Sequence, residues 1–319
     1  MNHLLCIAPM LDRTDRHYRY FIRLITRHTL LYTEMITTGA LLHGDADYHL
    51  KYNDIEHPLA LQLGGSEPAE MAQCAAMAED HGYDEVNINV GCPSDRVQSG
   101  RFGACLMAEP DLVAECVAAM KNKIDIPVTV KSRTGIDHLD SYEALQYFVS
   151  TIHQAGCNTF IIHARKAWLK GLSPKENREI PPLQYDLVYQ LKQDFPQLEI
   201  IINGGIKTLD EVEHHLKKVD GVMIGREAYS NPWILSGVDQ RFYADKSAAH
   251  SRAQVIEGLL DYIEQETRTG TQLNHITRHI LGLAHGQPGA RKWRHKVSSN
   301  TVMYSDIREQ LTFKDNDRL

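Results

Sequence analysis

Eight short apolar runs rich in β-branched residues recur along the chain, with amphipathic stretches between them. They are LLCIAPM (4–10), LLYTEMI (30–36), PLALQLG (58–64), EVNINVG (85–91), PVTVKSR (127–133), TFIIHAR (159–165), EIIINGG (199–205) and GVMIGRE (221–227). Between them, apolar positions three and four apart predict helices over 16–27, 68–81, 111–122, 142–154, 185–195 and 209–217. Ser66, Ser141 and Thr208 stand where N-caps belong, and Gly82 and Gly156 where helices stop. Continuous apolar strands alternating with helices imply parallel strands covered by helices. Eight such units predict an α/β fold, a (β/α)8 TIM barrel. A doubly wound sheet has the same periodicity, but no G-x-G-x-x-G follows the first strand, so a dinucleotide-binding Rossmann fold loses its usual support.

After about Pro232 the pattern changes. Stretches 252–267, 273–286 and 290–298 look helical, with Gly270 and Gln287-Pro288-Gly289 as breaks and no strand candidate among them. The expected organisation is a catalytic barrel over 1–235 followed by a small all-helical domain over 236–319. The 319-residue length suits a barrel of about 250 residues plus an appendage.

Charge alters this picture locally. The net charge of -7 disfavours polyanion binding as a global property. The balance differs along the chain, however: residues 1–235 hold 22 Lys+Arg against 31 Asp+Glu, and residues 236–319 hold 12 against 10. From His275 to Ser305 there is no acidic residue, while Arg278, Arg291, Lys292, Arg294 and Lys296 are all present. Screening over about 10 Å makes such local charge matter more than the total, so this face can bind phosphates. The start, MNHLLCIAPM, has neither a basic segment nor a long apolar run, and no later stretch approaches a membrane span. We read a cytoplasmic protein that acts as a monomer. The six cysteines form no C-x-x-C pair, so neither a disulfide framework nor a metal site is expected.

Polar residues gather where strands end, which is where barrel enzymes place their active sites. They are Gln62, Asn87, Asn89, Cys92, Lys131, Arg133, His163, Arg165, Asn203 and Arg226. One such residue is ordinarily a solvated rim residue, whereas six successive strands ending this way describe a lined pocket. The turns Asn203-Gly204-Gly205 and Gly225-Arg226 follow the seventh and eighth strands, where barrels frequently bind a phosphate. Lys131 and His163 would then face the middle of the pocket, where a cation can stabilise charge on a reduced flavin. Cys92 lies in a polar turn, NINVGCPSDR, unlike the other cysteines. A thiol there can be a nucleophile, a metal ligand or a proton donor. Cys105 has apolar neighbours and is assigned to packing.

The ordered set APM, LYTEM, LQLGG, NINVGCPSDRVQSGRFGACLM, VTVKSRTG, FIIHAR, INGGI and GVMIGREAYSNP resembles the tRNA-dihydrouridine synthases, and AWLKGLSPKENREIPPL resembles their A-type bacterial subfamily. The resemblance runs from residue 8 to about 233 and continues into the helical tail. It implies an FMN-binding barrel that takes electrons from NADPH and reduces the C5–C6 double bond of D-loop uridine in tRNA, at positions 20 and 20a. It also implies that Pro9, Met10 and Leu11 form part of the FMN bed, that Gln62, Lys131 and His163 surround the flavin ring, and that Asn203, Gly204, Gly205, Gly225 and Arg226 hold its phosphate end. Cys92 would be the general acid. Hydride arriving at C6 leaves enolate-like charge at C5, and an ordinary thiol, with a pKa of about 8.5, is mostly protonated at neutral pH and able to donate. For tRNA the candidates are Asn89, Lys175 and Arg178 near the barrel, and Arg291 with Arg294 in ARKWRHK, which share a face at helical spacing. Two other readings share part of this pattern: a flavin barrel acting on a free pyrimidine, which has no need of a basic helical domain, and an RNA-binding module without catalysis, which has no need of Cys92.

Overall fold

A computed structural model describes residues 1–298, apart from the side chain of Arg96. The eight strands are β1 (Leu5–Ile7), β2 (Leu31–Thr37), β3 (Leu59–Gly64), β4 (Glu85–Val90), β5 (Val128–Arg133), β6 (Thr159–His163), β7 (Glu199–Asn203) and β8 (Gly221–Ile224). The first helices are α1 (Arg16–Arg23), α2 (Thr38–His43), α3 (Ala46–Leu50), α4 (Pro68–Asp80), α5 (Asp95–Ser99), α6 (Pro110–Lys121) and α7 (Tyr142–Gln154). They are followed by α8 (Tyr185–Asp194), α9 (Leu209–Leu216), α10 (Arg226–Ser230), α11 (Val238–Phe242), α12 (Arg252–Arg268), α13 (Leu273–Thr277) and α14 (Ala290–Ser298).

Chain contacts divide the protein into two compact units. The first comprises Met1–Leu11, Leu30–Tyr52 and His57–Gly225; the second comprises Asp12–Thr29, Asn53–Glu56 and the chain from Arg226 onward.

All eight strands belong to the first unit and pair in parallel, β2 to β3 and so on through β8, which pairs with β1. Between β1 and β2 the ring is closed through Leu30, whose N–H donates to Leu5 O at 3.0 Å while its carbonyl accepts from Ile7 N at 2.9 Å. The eight expected runs are therefore the eight barrel strands, slightly trimmed at their ends. Buried Cys6, Tyr32, Ala60, Ile161, Ile201 and Met223 belong to one core cluster, with bulky and small side chains filling the interior. Ser141 and Thr208 cap α7 and α9 as expected, Thr208 in a capping box with Glu211. Ser66 does not cap α4: that position falls to Glu67, whose side chain makes no capping bond, and Pro68 begins the helix instead.

Inside the barrel, at the starting ends of the strands, lies a buried charged cluster. His3 Nε2 is 2.5 Å from Glu85 and its Nδ1 is 2.9 Å from Glu199. Tyr32 and Thr129 hydroxyls donate to the other Glu85 oxygen at 2.9 and 2.7 Å. Burial alone would lower the His3 pKa, but the two carboxylates outweigh it and raise it to about 9.

The second unit joins α1 to the C-terminal helices. Asp15 caps α1 through the N–H groups of His17 and Tyr18. Arg16 makes a two-pronged pair with Glu266, 2.5 Å on each arm, and Tyr20 stacks on Tyr262 at 3.8 Å between ring centroids. Buried Arg19 donates to Glu56 at 2.7 Å. The helix expected over 273–286 is broken: α13 ends at Thr277, a 3-10 turn covers Arg278–Ile280, and irregular turns follow. Close packing supplies a reason, because a Cβ at Gly282 would lie 2.4 Å from the Ser230 carbonyl oxygen.

Candidate active site

The carboxyl ends of β3 to β7 carry Gln62, Asn87, Asn89, Lys131, Arg133, His163 and Asn203. Alternation puts Glu85, Asn87 and Asn89 on one face of β4, and Thr129, Lys131 and Arg133 on one face of β5. Their polar groups form a ladder. Thr129 links Glu85 to Asn87, Asn87 Oδ1 accepts from Gln62 Nε2 at 2.8 Å, and Gln62 Oε1 accepts from Asn89 Nδ2 at 2.8 Å. Asn89 Oδ1 then accepts from the backbone N–H groups of Gly91 and Cys92, at 3.1 and 3.0 Å. A continuous chain of hydrogen bonds thus runs from the His3 cluster to the backbone of Cys92. In such a network each member orients the next.

The loop carrying Cys92 is held from other directions as well. The Cys92 carbonyl accepts from Ala104 N at 2.9 Å, and Gly103, at φ +76°, leaves room that a Cβ would take from that same carbonyl at 2.6 Å. Arg133 donates from Nε to the Gly91 carbonyl at 3.0 Å and from Nη1 to the carbonyls of Asn177 and Lys166 at 3.0 and 3.3 Å. Asn177 is itself buried and binds Trp168 N, Trp168 O and Leu172 O, so it closes the 166–182 loop on itself. Among the described residues, the half-buried Cys92 thiol donates to Ser94 Oγ alone, at 3.6 Å. Cys105 is different: its thiol donates to Phe102 O at 3.2 Å, and burial pushes its pKa up.

Lys131 donates to Asn203 Oδ1 at 3.2 Å, and Asn203 in turn donates to Met223 O at 2.7 Å. No carboxylate pairs with Lys131 among the described residues. Burial, with Arg133 nearby, brings its pKa down to about 7, opposed by Cys92. Burial and then Arg133, Lys131, Arg165 and Arg178 hold His163 well below its ordinary range, so its ring is neutral at pH 7. Gly204 and Gly205 turn at φ +119° and +74°, and a Cβ on Gly204 would meet the His163 ring at 2.8 Å. Among the described residues, the only atom within 4 Å of a Cβ added at Gly225 is Ala8 Cβ, at 3.8 Å.

These features fit a flavin nucleotide. A half-buried Lys131 amine without a carboxylate partner among the described residues, the buried Arg133 guanidinium, a neutral imidazole and glycine turns at the ends of β7 and β8 suit an anionic, phosphorylated ligand. Pro9, Met10 and Leu11 follow β1, with Leu11 66% exposed, and Arg226 follows Gly225 directly and opens the second unit. Gln62 and Asn89 are brought to Cys92, Lys131 to Asn203, and His163 to Gly204. Arg178 is exposed but close enough to act electrostatically on His163 and Arg133, whereas exposed Lys175 has no such link. Arg291 and Arg294 are exposed on α14, whose Trp293 and Val297 are buried, with Trp293 Nε1 donating to Ile280 O at 2.9 Å. The sequence pattern marks Asn87 and Arg133 only as polar strand ends and does not mark Thr129 or Asn177. The period of two on β4 and β5 is the signal available for the first three.

Residues 6–316 match the family model described as dihydrouridine synthase. A protein of Shewanella oneidensis named tRNA-dihydrouridine(20/20a) synthase is 66% identical over 294 residues, 92% of this chain and 88% of its own. Proteins of the same name from Vibrio cholerae and Synechocystis are 61% and 59% identical, covering 93% and 94% of this chain and 90% of each of theirs. Among solved structures, a 2-naphthoyl-CoA reductase complex has a TM-score of 0.56 at 11% identity, covering 74% of this chain and half of that one, a likeness of fold alone. The chain belongs to the dihydrouridine synthase family of flavin-dependent oxidoreductases.

Proposed function

We propose that this chain reduces the C5–C6 double bond of D-loop uridine in tRNA, at positions 20 and 20a, with FMN as the bound cofactor and NADPH as electron donor. The observation that supports this most is the grouping of Lys131, Arg133 and neutral His163, with no carboxylate partner among the described residues, around the loop that carries the half-buried Cys92 thiol. Relatives named for uridines 20 and 20a support the position.

Pro9, Met10, Leu11, Gln62, Lys131 and His163 would hold the ring, and Asn203, Gly204, Gly205, Gly225 and Arg226 the phosphate. Bound there, FMN would supply the hydride. The chain's own part is to bind, orient and protonate. Lys131 supplies positive charge where negative charge develops. His163, being neutral, offers one donor and one acceptor to a carbonyl or ring nitrogen. Cys92 holds the proton at Sγ for C5, on a loop fixed by Asn89 and Arg133. Asn89 has one N–H without a partner among the described residues, which would serve the pyrimidine, its Oδ1 being occupied twice. The barrel, 1–235, would carry this chemistry and the helical part, 236–319, the grip on RNA. Lys175, Arg178, Arg291 and Arg294 would contact phosphates, which position a folded RNA while one base is turned out of its stack.

The deciding experiment maps dihydrouridine in tRNA from a strain lacking the enzyme, with and without this protein supplied. Restoration of mass at positions 20 and 20a supports the reading. A yellow protein that reduces free uridine as well as it reduces tRNA would favour the free-pyrimidine alternative.

A further inference from the structure

The second unit contains a cavity of about 540 Å³ in which Arg13, Arg278 and Arg294 meet Tyr229, His279 and His285. Its volume falls within the roughly 300–1,000 Å³ typical of small-ligand sites. No carboxylate is among its described lining residues. Arg278 is paired with Asp15, at 2.5 Å, but among the described residues neither Arg13 nor Arg294 has a carboxylate partner. The Arg13 guanidinium lies over the Tyr229 ring at 4.9 Å, and the Tyr229 hydroxyl is within 3.2 Å of His279 Nδ1, whose Nε2 is in turn 3.0 Å from Asp15. A planar cation stacked on an oriented aromatic ring is a platform for a nucleobase, and the remaining arginines are donors for the phosphates on either side of it.

We infer that this cavity takes one unstacked nucleotide of the substrate RNA, its base against the Arg13–Tyr229 pair and its phosphates toward Arg278 and Arg294. The inference rests on the proposed tRNA substrate and extends it: a second nucleotide, other than the one reduced, is read in a pocket of the helical unit. A merely positive surface would attract RNA without needing the concavity, and that difference is testable.

Ala290 also lines the cavity and carries no charge, so Ala290→Phe fills the space while preserving every arginine. Filter binding of an unmodified tRNA transcript at two or more salt concentrations compares it with Arg294→Gln, with thermal melting of each protein as the folding control. Arg294→Gln should weaken binding roughly tenfold, the scale of one lost charge-assisted hydrogen bond, and lower the salt slope by about 0.7 to 0.9. Ala290→Phe should weaken binding with an unchanged salt slope, because no phosphate contact is removed. If Ala290→Phe melts early, Ala290→Met serves, with a smaller loss in the same sense. Wild-type affinity in a folded Ala290 variant overturns the pocket and leaves only a charged surface. A raised KM for NADPH with unchanged tRNA binding would assign the cavity to the dinucleotide and overturn the RNA assignment. Should the wild-type protein neither bind nor modify tRNA, the proposed function itself fails and the pocket with it.

Discussion

Arg133, at the end of β5, donates its Nε hydrogen to the carbonyl of Gly91 at 3.0 Å, immediately before Cys92 in the chain. Two strand ends are thereby tied to each other, and through Asn177 and Lys166 to the long loop after β6. Arg133→Lys cannot reproduce the fork, since an ammonium lacks the fixed planar geometry of guanidinium. The variant should retain flavin but lose roughly 10- to 100-fold in kcat, the scale of a lost buried hydrogen bond to a charged group. The KM for tRNA should change much less. A variant with wild-type kcat would reduce Arg133 to a structural brace.

Cys92→Ala should bind FMN and accept electrons from NADPH, yet form dihydrouridine roughly 10²- to 10⁴-fold more slowly, as expected for loss of a general acid. Cys105→Ala serves as the control and should be near neutral, since its thiol is turned to the Phe102 carbonyl. Rapid-mixing of the pre-reduced proteins with tRNA separates the two half-reactions. Equal oxidation rates for Cys92→Ala and wild type would remove Cys92 from the chemistry.

Lys131 predicts a proton balance. Burial holds its pKa near 7 in the ligand-free protein, below the ordinary value of 10.5, so it is largely neutral at pH 8. An anionic ligand restores the ammonium, and FMN binding at pH 8 should take up a proton. Calorimetry in buffers of different ionisation enthalpy measures it, and Lys131→Met should abolish the uptake. The same shift acts on stability. A depressed pKa favours folding most at pH above the unfolded value, and the benefit is lost as pH falls toward 7. Between pH 7 and 10.5 the apo wild type should therefore gain stability relative to Lys131→Met.

His3 carries the opposite sign. Its pKa is raised to about 9 by Glu199 and Glu85, so its stabilising contribution is full below about 6.5, the unfolded value, and lost as pH rises through 9. His3→Gln should destabilise the protein by about 3 kcal/mol at pH 6, in the range for breaking a buried pair, and by less at pH 9.5. Denaturant melts at the two pH values check it. A loss independent of pH would mean that packing, not charge, is what His3 provides.

Much of the barrel could be read along the chain because the signals are local. Runs such as EVNINVG and TFIIHAR must be strands buried on both sides, and their ends had to carry the polar residues, since parallel strands all finish on one face. For the same reason Lys131, His163 and Asn203 could be named from their positions alone. Helix caps were legible at Ser141 and Thr208, where the bond is made within three residues, but not at Ser66, where Pro68 began the helix one residue later.

Only the tertiary structure could decide contacts between distant residues. Glu85 and Asn89 share a strand, but the ladder between them passes through Thr129 and Gln62, which register between neighbouring strands brings together. No periodicity shows that Arg133 spends its donors on three backbone carbonyls, because a carbonyl leaves no mark on residue type. The grouping of Arg13 with Arg278 and Arg294 in one cavity likewise joins segments more than 260 residues apart. Composition made the tail basic; closure of the chain around Tyr229 made part of that charge concave. Sequence specifies which groups are available and which face of an element they share, whereas packing decides which partners satisfy them and which are left facing a ligand.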